Sequence, residues 1–389
     1  MWSWWRDMEM KTLGTVATYI NGRAFKPSEW EKAGMPIIRI QNLTSENAPY
    51  NYSKGIFEEK YIVHNGDLLF AWSASLGAHI WKGQDAWLNQ HIFKVLPKEG
   101  IDRDYLYYFL LAVVAELYAK THGSGMVHIT KAPFMNTPIP VPSLPEQQRI
   151  VARIEELFSQ LDAGVETLKK TKAQLAVYRQ AVLKEAFSDC DDSVTMGSVA
   201  TMIDPQPSHR TPPEFENGIP YIGIGDIDYN EKTIRFKNAR KVNPSVYEDH
   251  LQRYTLRDGD FVMGKIGTIG KPFRLPLPQN YTLSANVILI QPDAGKINPE
   301  YLFWQFSSPL ITEQLMEGKN ETSQPAFGIQ KARLLQIKMC SLEAQDRIVY
   351  DIREKISVCE NIEQTVTLTL QQAEAMRQSI LKDAFEGRL

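Results

Sequence analysis

The sequence predicts an α+β fold built as a pseudo-two-fold internal repeat, in which two mixed α/β domains are separated by two long helices packed as an antiparallel coiled coil. Residues 143–189 and 341–387 align without a gap at an offset of 198 residues, and more than a third of the 47 aligned positions are identical. A repeat of this length indicates duplicated structure. The identical pairs include Gln147/Gln345, Arg149/Arg347, Ile154/Ile352, Arg179/Arg377 and Phe187/Phe385.

Both copies of the repeat have the apolar spacing of a helix. Apolar side chains recur in steps of three and four over about forty residues, which predicts an amphipathic helix with one narrow apolar seam. The predicted seam positions are Ile154, Leu157, Leu161, Leu168 and Leu175 in the first copy, and Ile352, Ile356, Val366, Leu370 and Ile380 in the second. The fuller periodic pattern also includes Tyr178, Ile362 and Met376.

A helix of about forty residues spans roughly 60 Å and cannot bury such a seam alone. The chain supplies a second helix of matching length, so we predict that the two copies pack together. We expect an antiparallel arrangement, because it places the intervening domains at opposite ends. Periodicity alone is equally compatible with a dimerisation stalk that has no further role.

The regions before the two helices are also related, more loosely. The residues LGTVA at 13–17 match MGSVA at 196–200, PIIRIQNL at 36–43 matches PYIGIGDI at 220–227, and the Gly-Asp pairs at 66–67 and 259–260 each precede an apolar strand. The predicted organisation is therefore a first domain at 1–142, a first helix at 143–189, a second domain at 190–340 and a second helix at 341–389. Each domain is long enough for its own core.

Composition limits the class of protein without deciding its function. The net charge is −3, which is not the basic balance typical of nucleic-acid binders. The three cysteines lack disulfide or metal-ligand spacing, and the N-terminal residues show no export signal, so we expect a cytoplasmic protein with no membrane segment.

Motifs that carry chemistry are not found in the sequence. The glycine-rich stretch GKIGTIG at 264–270 has the wrong order for a phosphate-binding loop and is more typical of a turn between strands. The seven histidines show no metal-ligand spacing. The residues DPQP at 204–207 are only faintly similar to the acidic loop of amino-methyltransferases. We therefore predict no catalytic residue, no metal site and no enzymatic activity.

The residues TPIPVP at 137–142, LPEQQRIV at 144–151 and RQAVLKEAF at 179–187 form a specific signature that recurs in degenerate form at 341–387. This pattern, with GIPYI at 218–222 and NGDLL at 65–69, resembles the DNA-specificity subunit of type I restriction-modification enzymes over essentially the whole chain. The second copy departs from the pattern, because EAQD at 343–346 replaces PEQQ. This departure puts the geometry of the second helix start in doubt.

The resemblance implies a division of labour. Each domain, as a target-recognition domain, would recognise one half of a bipartite, asymmetric site in double-stranded DNA, while the helices would set the gap and dock two methyltransferase subunits. Restriction/translocase subunits would join to cut unmarked DNA. This chain would bind no cofactor, since S-adenosylmethionine, ATP and Mg would belong to the partner subunits.

Candidate DNA contacts come from loops in equivalent positions of the two domains. Base recognition needs amide, hydroxyl and guanidinium groups, and phosphate contacts need cations and small polar groups. Trp72 lies beside Ser73 in the loop that matches Lys265 and Thr268, and Asp226 lies in the loop that matches Gln41 and Asn42. The first domain offers Asn21, Arg23, Lys26, Gln41, Asn42, Ser73 and Ser124, and the second offers Ser208, His209, Arg210, Lys265, Thr268, Lys319 and Asn320.

Two other functions fit the repeat. A pseudo-symmetric scaffold could join two protein partners through its coiled coil, although this leaves the equivalent polar loops of two divergent domains unexplained. A specificity chain whose methyltransferase partners are absent or inactive has the same sequence pattern. The DNA sequence recognised cannot be derived from these residues.

Overall fold

The computed structural model describes residues 9–45, 47–119, 131–266, 268–317 and 327–389. The chain forms two compact units. Unit 1 comprises Met1–Leu168 and Thr367–Leu389, and unit 2 comprises Lys169–Val366. Each long helix is therefore divided between the units, and the domain limits derived from the sequence stay predictions.

Unit 1 begins with a mixed α/β region. Its helices are α1 (Leu13–Val16), α2 (Ile40–Thr44), α3 (Arg103–Ala119) and α4 (Lys131–Met135), with 3-10 turns at Pro27–Glu29 and Glu59–Tyr61. Its strands are β1 (Met10–Thr12), β2 (Ala17–Asn21), β3 (Met35–Ile38), β4 (Asn51–Ser53), β5 (Ile62–Val63), β6 (Leu68–Ala71), β7 (Gly77–Ile80), β8 (Ala86–Leu88), β9 (Ile92–Pro97) and β10 (Pro138–Pro140).

A long helix, α5 (Leu144–Glu185), links this region to the second one, which repeats the pattern. The helices there are α6 (Met196–Val199), α7 (Pro244–Leu251), α8 (Pro299–Phe306), α9 (Pro309–Glu317) and α10 (Ile329–Arg333), followed by the long α11 (Leu342–Phe385); Ile224–Asp226 is a 3-10 turn. The strands are β11 (Asp192–Thr195), β12 (Ala200–Ile203), β13 (Ile219–Ile222), β14 (Ile227–Asp228), β15 (Thr233–Ile234), β16 (Lys241–Val242), β17 (Phe261–Gly264), β18 (Pro272–Arg274), β19 (Thr282–Leu283), β20 (Val287–Pro292) and β21 (Gln336–Met339).

The sheets of the two units have matching strand orders. Unit 1 contains the order β2-β9-β6-β7, and unit 2 contains β12-β20-β17-β18 in the same roles. A second sheet, β4-β3-β8-β5, corresponds to β16-β13-β19. In both units a terminal pair, β1 with β10 and β11 with β21, is antiparallel and leads into a long helix. The internal repeat predicted from the sequence is therefore a repeat of topology.

The repeated Gly-Asp pairs make the same turn in each unit. Gly66 and Gly259 have φ values of 91° and 87°, a left-handed conformation that glycine adopts without a Cβ clash. The Asp67 carboxylate accepts the backbone N–H of His64, and the Asp260 carboxylate accepts that of Arg257, both at 2.8 Å. The turn therefore needs glycine for its backbone and an aspartate carboxylate to accept the backbone N–H, which explains why both residues recur.

The predicted seam residues of α5 and α11 are buried or half-buried. Ile154, Ile352, Ile356 and Val366 are buried, and the others are half-buried. In unit 1, Ile150 and Ile154 near the start of α5 share a core with Leu381 and Phe385 at the end of α11. In unit 2, Leu183 at the end of α5 shares a core with Ile352 and Ile356 near the start of α11. Within each unit the helices therefore run antiparallel, as predicted.

Three positions of the wider seam pattern are wrong. Tyr178, Ile362 and Met376 are 50%, 40% and 55% exposed. The residue after each one is half-buried instead: Arg179 pairs with Glu363 at 2.9 Å, and Arg377 pairs with Asp162. Since charged pairs at these positions join the helices, the apolar side chains one residue earlier point outward. The repeated arginine, Arg179/Arg377, is thus an interhelical ion-pair residue in both units.

The repeated glutamine fixes the start of each long helix to its own domain. The fully buried Gln147 accepts the backbone N–H of Asp102 at 2.8 Å and donates to the carbonyls of Gly100 and Pro142. Gln345, also fully buried, accepts the N–H of Asn298 at 2.8 Å and donates to the carbonyl of Cys340. Because α5 begins at Leu144 and α11 at Leu342, the altered residues at 343–346 leave the helix start in the equivalent place.

The repeated phenylalanine anchors the end of each long helix on an equivalent tyrosine. The Phe187 ring lies 5.3 Å from that of Tyr301 in unit 2. The Phe385 ring lies 5.2 Å from those of Tyr105 and Phe109 in unit 1. The helix that follows the first domain in the chain thus ends on the second domain's core, and the second helix ends on the first domain's core.

In the described parts of the chain, no helix is long and apolar enough to cross a membrane.

Candidate nucleic-acid interface

In both units, polar or aromatic residues lie next to three neighbouring strands of the central sheet at one end. In unit 1, β2 and β6 end and the antiparallel β9 begins there. In unit 2, β12 and β17 end and β20 begins there. We call the residues next to these strand ends the strand-end clusters: Asn21, Trp72 and His91 in unit 1, and Asp204, Lys265 and Asn286 in unit 2.

The strand-end clusters have the same geometry with different chemistry. The Trp72 indole N–H donates to the Asn21 side-chain oxygen at 3.0 Å, and the Lys265 ammonium donates to the Asp204 carboxylate at 2.8 Å. The backbone N–H of Trp72 donates to the carbonyl of His91, and that of Lys265 to the carbonyl of Asn286. Equivalent positions thus display an amide, an indole and an imidazole in one unit, and a carboxylate, an ammonium and an amide in the other.

The loop after β12 displays three of the predicted residues in unit 2. Ser208, His209 and Arg210 are all exposed. The Gln206 side-chain amide donates to the Ser208 hydroxyl at 2.9 Å and to the carbonyl of Arg210 at 3.1 Å. These bonds hold the loop in one shape, with a hydroxyl, an imidazole and a guanidinium at its surface. Such groups recognise base edges and phosphates.

Lys265 lies beside this loop, but its charge is balanced within the protein. Its side chain is 15% exposed and that of Asp204 is 17% exposed. The imidazole of His209 lies 4.0 Å from the same carboxylate. Asp204 therefore brings two candidate DNA-contacting side chains together at one strand end. Thr268, the remaining described candidate of unit 2, is exposed on the turn after β17.

The candidates in unit 1 divide into displayed and internally bonded residues. Asn21, Lys26 and Gln41 are exposed. Arg23 forms a two-point ion pair with Glu29, with one bond at 3.0 Å, and its guanidinium lies 4.1 Å from the centre of the Phe57 ring. The bonds to Arg23 lower the pKa of Glu29 to about 2. Both terminal nitrogens of the Arg23 guanidinium bond to Glu29, and its face packs on the Phe57 ring. We therefore assign Arg23 to holding the loop.

Asn42 also serves its own loop. It is 8% exposed, accepts the backbone N–H of Arg39 at 3.0 Å and donates to the carbonyls of Ala48 and Pro49. Asp226 accepts the N–H of Gly223 in the same way at 2.8 Å. This equivalent pair closes a turn after the same strand, so we do not carry Asn42 into the interface. Ser73 is 3% exposed, and Ser124, Lys319 and Asn320 lie outside the described residues.

Sequence reasoning missed the parts that hold the loops. Asp204 and Gln206 were noticed only as a faint methyltransferase-like motif, and His91, Asn286 and His250 were not selected. Their signal was available in the repeat: aligning the ends of matched strands places Asn21 against Asp204 and His91 against Asn286. Among the residues that the structure describes, no group of three or more His, Cys, Asp or Glu is arranged to hold a metal ion.

Comparison with known proteins agrees with this architecture. The family model for the type I restriction modification DNA specificity domain matches residues 6–176. The type I restriction enzyme EcoBI specificity subunit of Escherichia coli is 25% identical over 408 residues, covering 97% of this chain and 85% of that protein. The MjaVIII specificity subunit of Methanocaldococcus jannaschii is 23% identical over 412 residues, covering 98% of this chain and 93% of the relative.

Two solved structures share the fold. One, from a study of complex assembly and conformational transition of the type I R-M system, has a TM-score of 0.73 and 18% identity, with 98% of both chains covered. The HsdS subunit from Thermoanaerobacter tengcongensis has a TM-score of 0.53 and 17% identity, with 98% of this chain and 97% of that one covered. The repeat, the paired helices, the family model over residues 6–176 and the similarity over nearly the whole chain agree: the chain is similar to the DNA-specificity subunits of type I restriction-modification systems.

Proposed function

We propose that this chain is the sequence-recognition subunit of a type I restriction-modification complex, and that each unit recognises one half of a bipartite, asymmetric site in double-stranded DNA. The observation that carries the proposal is the pair of strand-end clusters. One scaffold occurs twice, with the same hydrogen-bond geometry but different donors and acceptors. Two different half-sites require this combination, because a shared docking geometry must present different groups to different bases.

In this proposal the described loops divide into two roles. Asn21, Lys26 and Gln41 in unit 1, and Ser208, His209, Arg210 and Thr268 in unit 2, are exposed groups that contact bases or phosphates. Arg23, Asn42 and Asp204 hold those loops in shape. The net charge of −3 is compatible with this arrangement because DNA binding needs local cations at the contact surface, whereas the charge elsewhere does not meet phosphate.

The chain would perform no chemistry itself. We propose that methyltransferase subunits dock on it and methylate adenine with S-adenosylmethionine, and that restriction subunits, which use ATP and Mg, join the same complex in the cytoplasm. Two methyltransferase subunits would match the two-fold repeat. The recognition subunit then contributes position alone: it brings a methyltransferase to a chosen adenine and holds it there.

The proposal is tested by co-expressing this chain with its methyltransferase subunit in a host free of DNA methylation. Single-molecule sequencing then maps N6-methyladenine. We expect a motif in two parts with a fixed gap, present with the chain and absent without it. A purified, stable complex that methylates no such motif would contradict the proposal and favour a protein-joining scaffold.

The long helices predict how the gap changes. Four residues inserted after Leu168 and four after Val366 extend both helices at equivalent positions, since the two residues match in the repeat and the chain passes from one unit to the other after each of them. Each helix lengthens by roughly 6 Å at about 1.5 Å per residue, which is nearly two base pairs at about 3.4 Å each. We expect the gap in the methylated motif to lengthen by one to two base pairs, while both half-sites stay the same.

The control for this experiment is an insertion of four residues into α5 alone, which breaks the pairing with α11 and should impair assembly. A double insertion that assembles and methylates with the original gap would contradict the assignment of the helices as the spacer.

Lys265 has a separate expected effect. The Lys265 ammonium is paired with Asp204, and we test whether it also contacts a phosphate. If it does, replacing Lys265 with Ala weakens binding at every DNA sequence and lowers the slope of log affinity against log salt by about one, because a phosphate-contacting cation acts without regard to sequence. Binding titrations at several salt concentrations measure both quantities. If the slope stays unchanged and adding Asp204→Asn restores affinity, Lys265 only holds Asp204 and makes no phosphate contact.

A further inference from the structure

The segment 206–210 in unit 2 adopts a costly backbone shape. His209 has a φ of 53°, which places a residue with a Cβ in the left-handed region. Its backbone N–H donates to the carbonyl of Gln206 at 3.0 Å, which closes the turn. A strained residue in an exposed loop persists only when surrounding groups hold it, and such strain is concentrated at functional sites. The question is what holds this loop.

A chain of hydrogen bonds leads from the core of unit 2 to this loop. The Tyr254 hydroxyl lies 2.9 Å from that of Thr282, which lies 2.5 Å from Nδ1 of His250. Nε2 of His250 lies 2.6 Å from the side-chain oxygen of Gln206. Gln206 then donates to Ser208 and Arg210. Each member thus touches the next, from a buried tyrosine to the displayed residues.

A neutral imidazole at His250 gives every bond in the chain one direction. The Gln206 oxygen can only accept, so Nε2 of His250 carries the proton and Nδ1 accepts from the Thr282 hydroxyl. The Tyr254 hydroxyl accepts the backbone N–H of Leu283 at 3.0 Å and donates to Thr282. This order needs a neutral imidazole. His250 is 2% exposed, and burial lowers its pKa, which favours the neutral form.

The other end of the loop is held independently. Asp204 accepts the Lys265 ammonium at 2.8 Å and the backbone N–H of Gln206 at 3.2 Å. In unit 1, the position equivalent to Gln206 is Arg23, and it is also held, by Glu29 and the Phe57 ring. Both units therefore fix the same position of the same loop, with an ion pair in one and a buried hydrogen-bond chain in the other.

We propose that His250 is a positioning residue for DNA recognition by unit 2: through Gln206 it sets the placement of Ser208, His209 and Arg210, and thereby the base preference of one half-site. The inference rests on the proposed function. His250 touches no DNA in this scheme. Its loss leaves the contacting groups in the chain but lets the loop adopt several shapes, so discrimination between bases falls while the attraction to phosphates remains.

Two substitutions of His250 separate this role from simple packing. Leucine at 250 removes both links. Glutamine offers one side-chain acceptor for Thr282 and one donor for Gln206, so His250→Gln should restore the chain. Each variant is co-expressed with the methyltransferase subunit, and the methylated motif is sequenced. For His250→Leu we expect discrimination at one or more base pairs of one half-site to fall by about tenfold, the loss of roughly one base contact. The other half-site, the gap and the affinity for non-specific DNA should stay unchanged.

Matched variants make every outcome decisive. His64→Leu removes an exposed histidine of unit 1, and should leave both half-sites intact. Gln206→Leu breaks the same chain at a half-buried loop residue, so it serves if His250→Leu fails to fold. The double variant His250→Leu with Gln206→Leu should lower base discrimination in the methylated motif no further than either single variant does. Full selectivity in His250→Leu or Gln206→Leu, or equal relaxation of both half-sites, would overturn the inference. A wild-type complex without a two-part motif would instead overturn the proposed function.

Discussion

Alanine in place of Phe385 should lower the free energy of unfolding of unit 1 by about 3–5 kcal/mol, the usual cost of removing a buried aromatic ring. Phe385 is 8% exposed and contacts Tyr105 and Phe109, so its removal leaves a cavity where α11 ends on the core. Phe187→Ala should have the same effect on unit 2 through the lost contact with Tyr301. Chemical denaturation measures the change in stability.

Hydrogen exchange then shows where the stability is lost. Phe385→Ala should reduce amide protection in unit 1, and Phe187→Ala in unit 2, so each variant is a control for the other. Tyr350→Ala, at a helix position that is 65% exposed, should change stability by less than about 0.5 kcal/mol. If Phe385→Ala lowers protection only in unit 2, or leaves stability unchanged, the assignment of this helix end to the core of unit 1 is wrong.

The second large effect is expected at the repeated glutamine. Gln147→Leu keeps the volume but leaves the N–H of Asp102 and the carbonyls of Gly100 and Pro142 without their side-chain partner. These groups are partly buried, so each unpaired one should cost the lower end of about 1–3 kcal/mol, and we expect a total loss of roughly 3 kcal/mol. Gln345→Leu breaks two such bonds and should cost less, roughly 2 kcal/mol.

Thermal or urea unfolding of the purified chain gives both values. Gln148→Leu is the matched control, because Gln148 is exposed and lies beside Gln147 on the same helix. A loss for Gln147→Leu no larger than for Gln148→Leu would contradict the assigned bonds. When Gln147→Leu is co-expressed with the methyltransferase subunit, the gap in the methylated motif should vary in length, since the substitution loosens the joint between the first domain and α5.

The predicted fold is confirmed because the repeat carries it in local patterns. A helical seam such as Ile352, Ile356 and Val366 is legible from spacing alone, and the Gly-Asp turns follow from the backbone that glycine permits. The wider seam prediction was wrong at Tyr178, Ile362 and Met376 because spacing assigns only apolar residues to the contact between the helices. It does not foresee that Arg179 and Arg377 find acidic partners on the facing helix.

The DNA-contacting residues stay a prediction, and the structure shows only which of the selected side chains are exposed. The exposed positions Ser208, His209 and Arg210 were selected from their place after a strand, and the structure displays them together. Arg23 and Asn42 have the same residue chemistry but are bonded within the protein. Polarity alone cannot distinguish a displayed group from a bonded one, because that difference depends on neighbours distant in sequence.

The amino-acid sequence by itself determined the duplication, the two long helices, and the residues that start and end them, since each of these depends on local spacing or on the repeat. The tertiary structure decided which polar side chains are available to a partner. Gln206 and His250 are 44 residues apart and meet only when β19 brings Thr282 beside α7. Hydrogen-bond partnership is a property of positions in space, so the division between holding and contacting residues emerges only when the chain is folded.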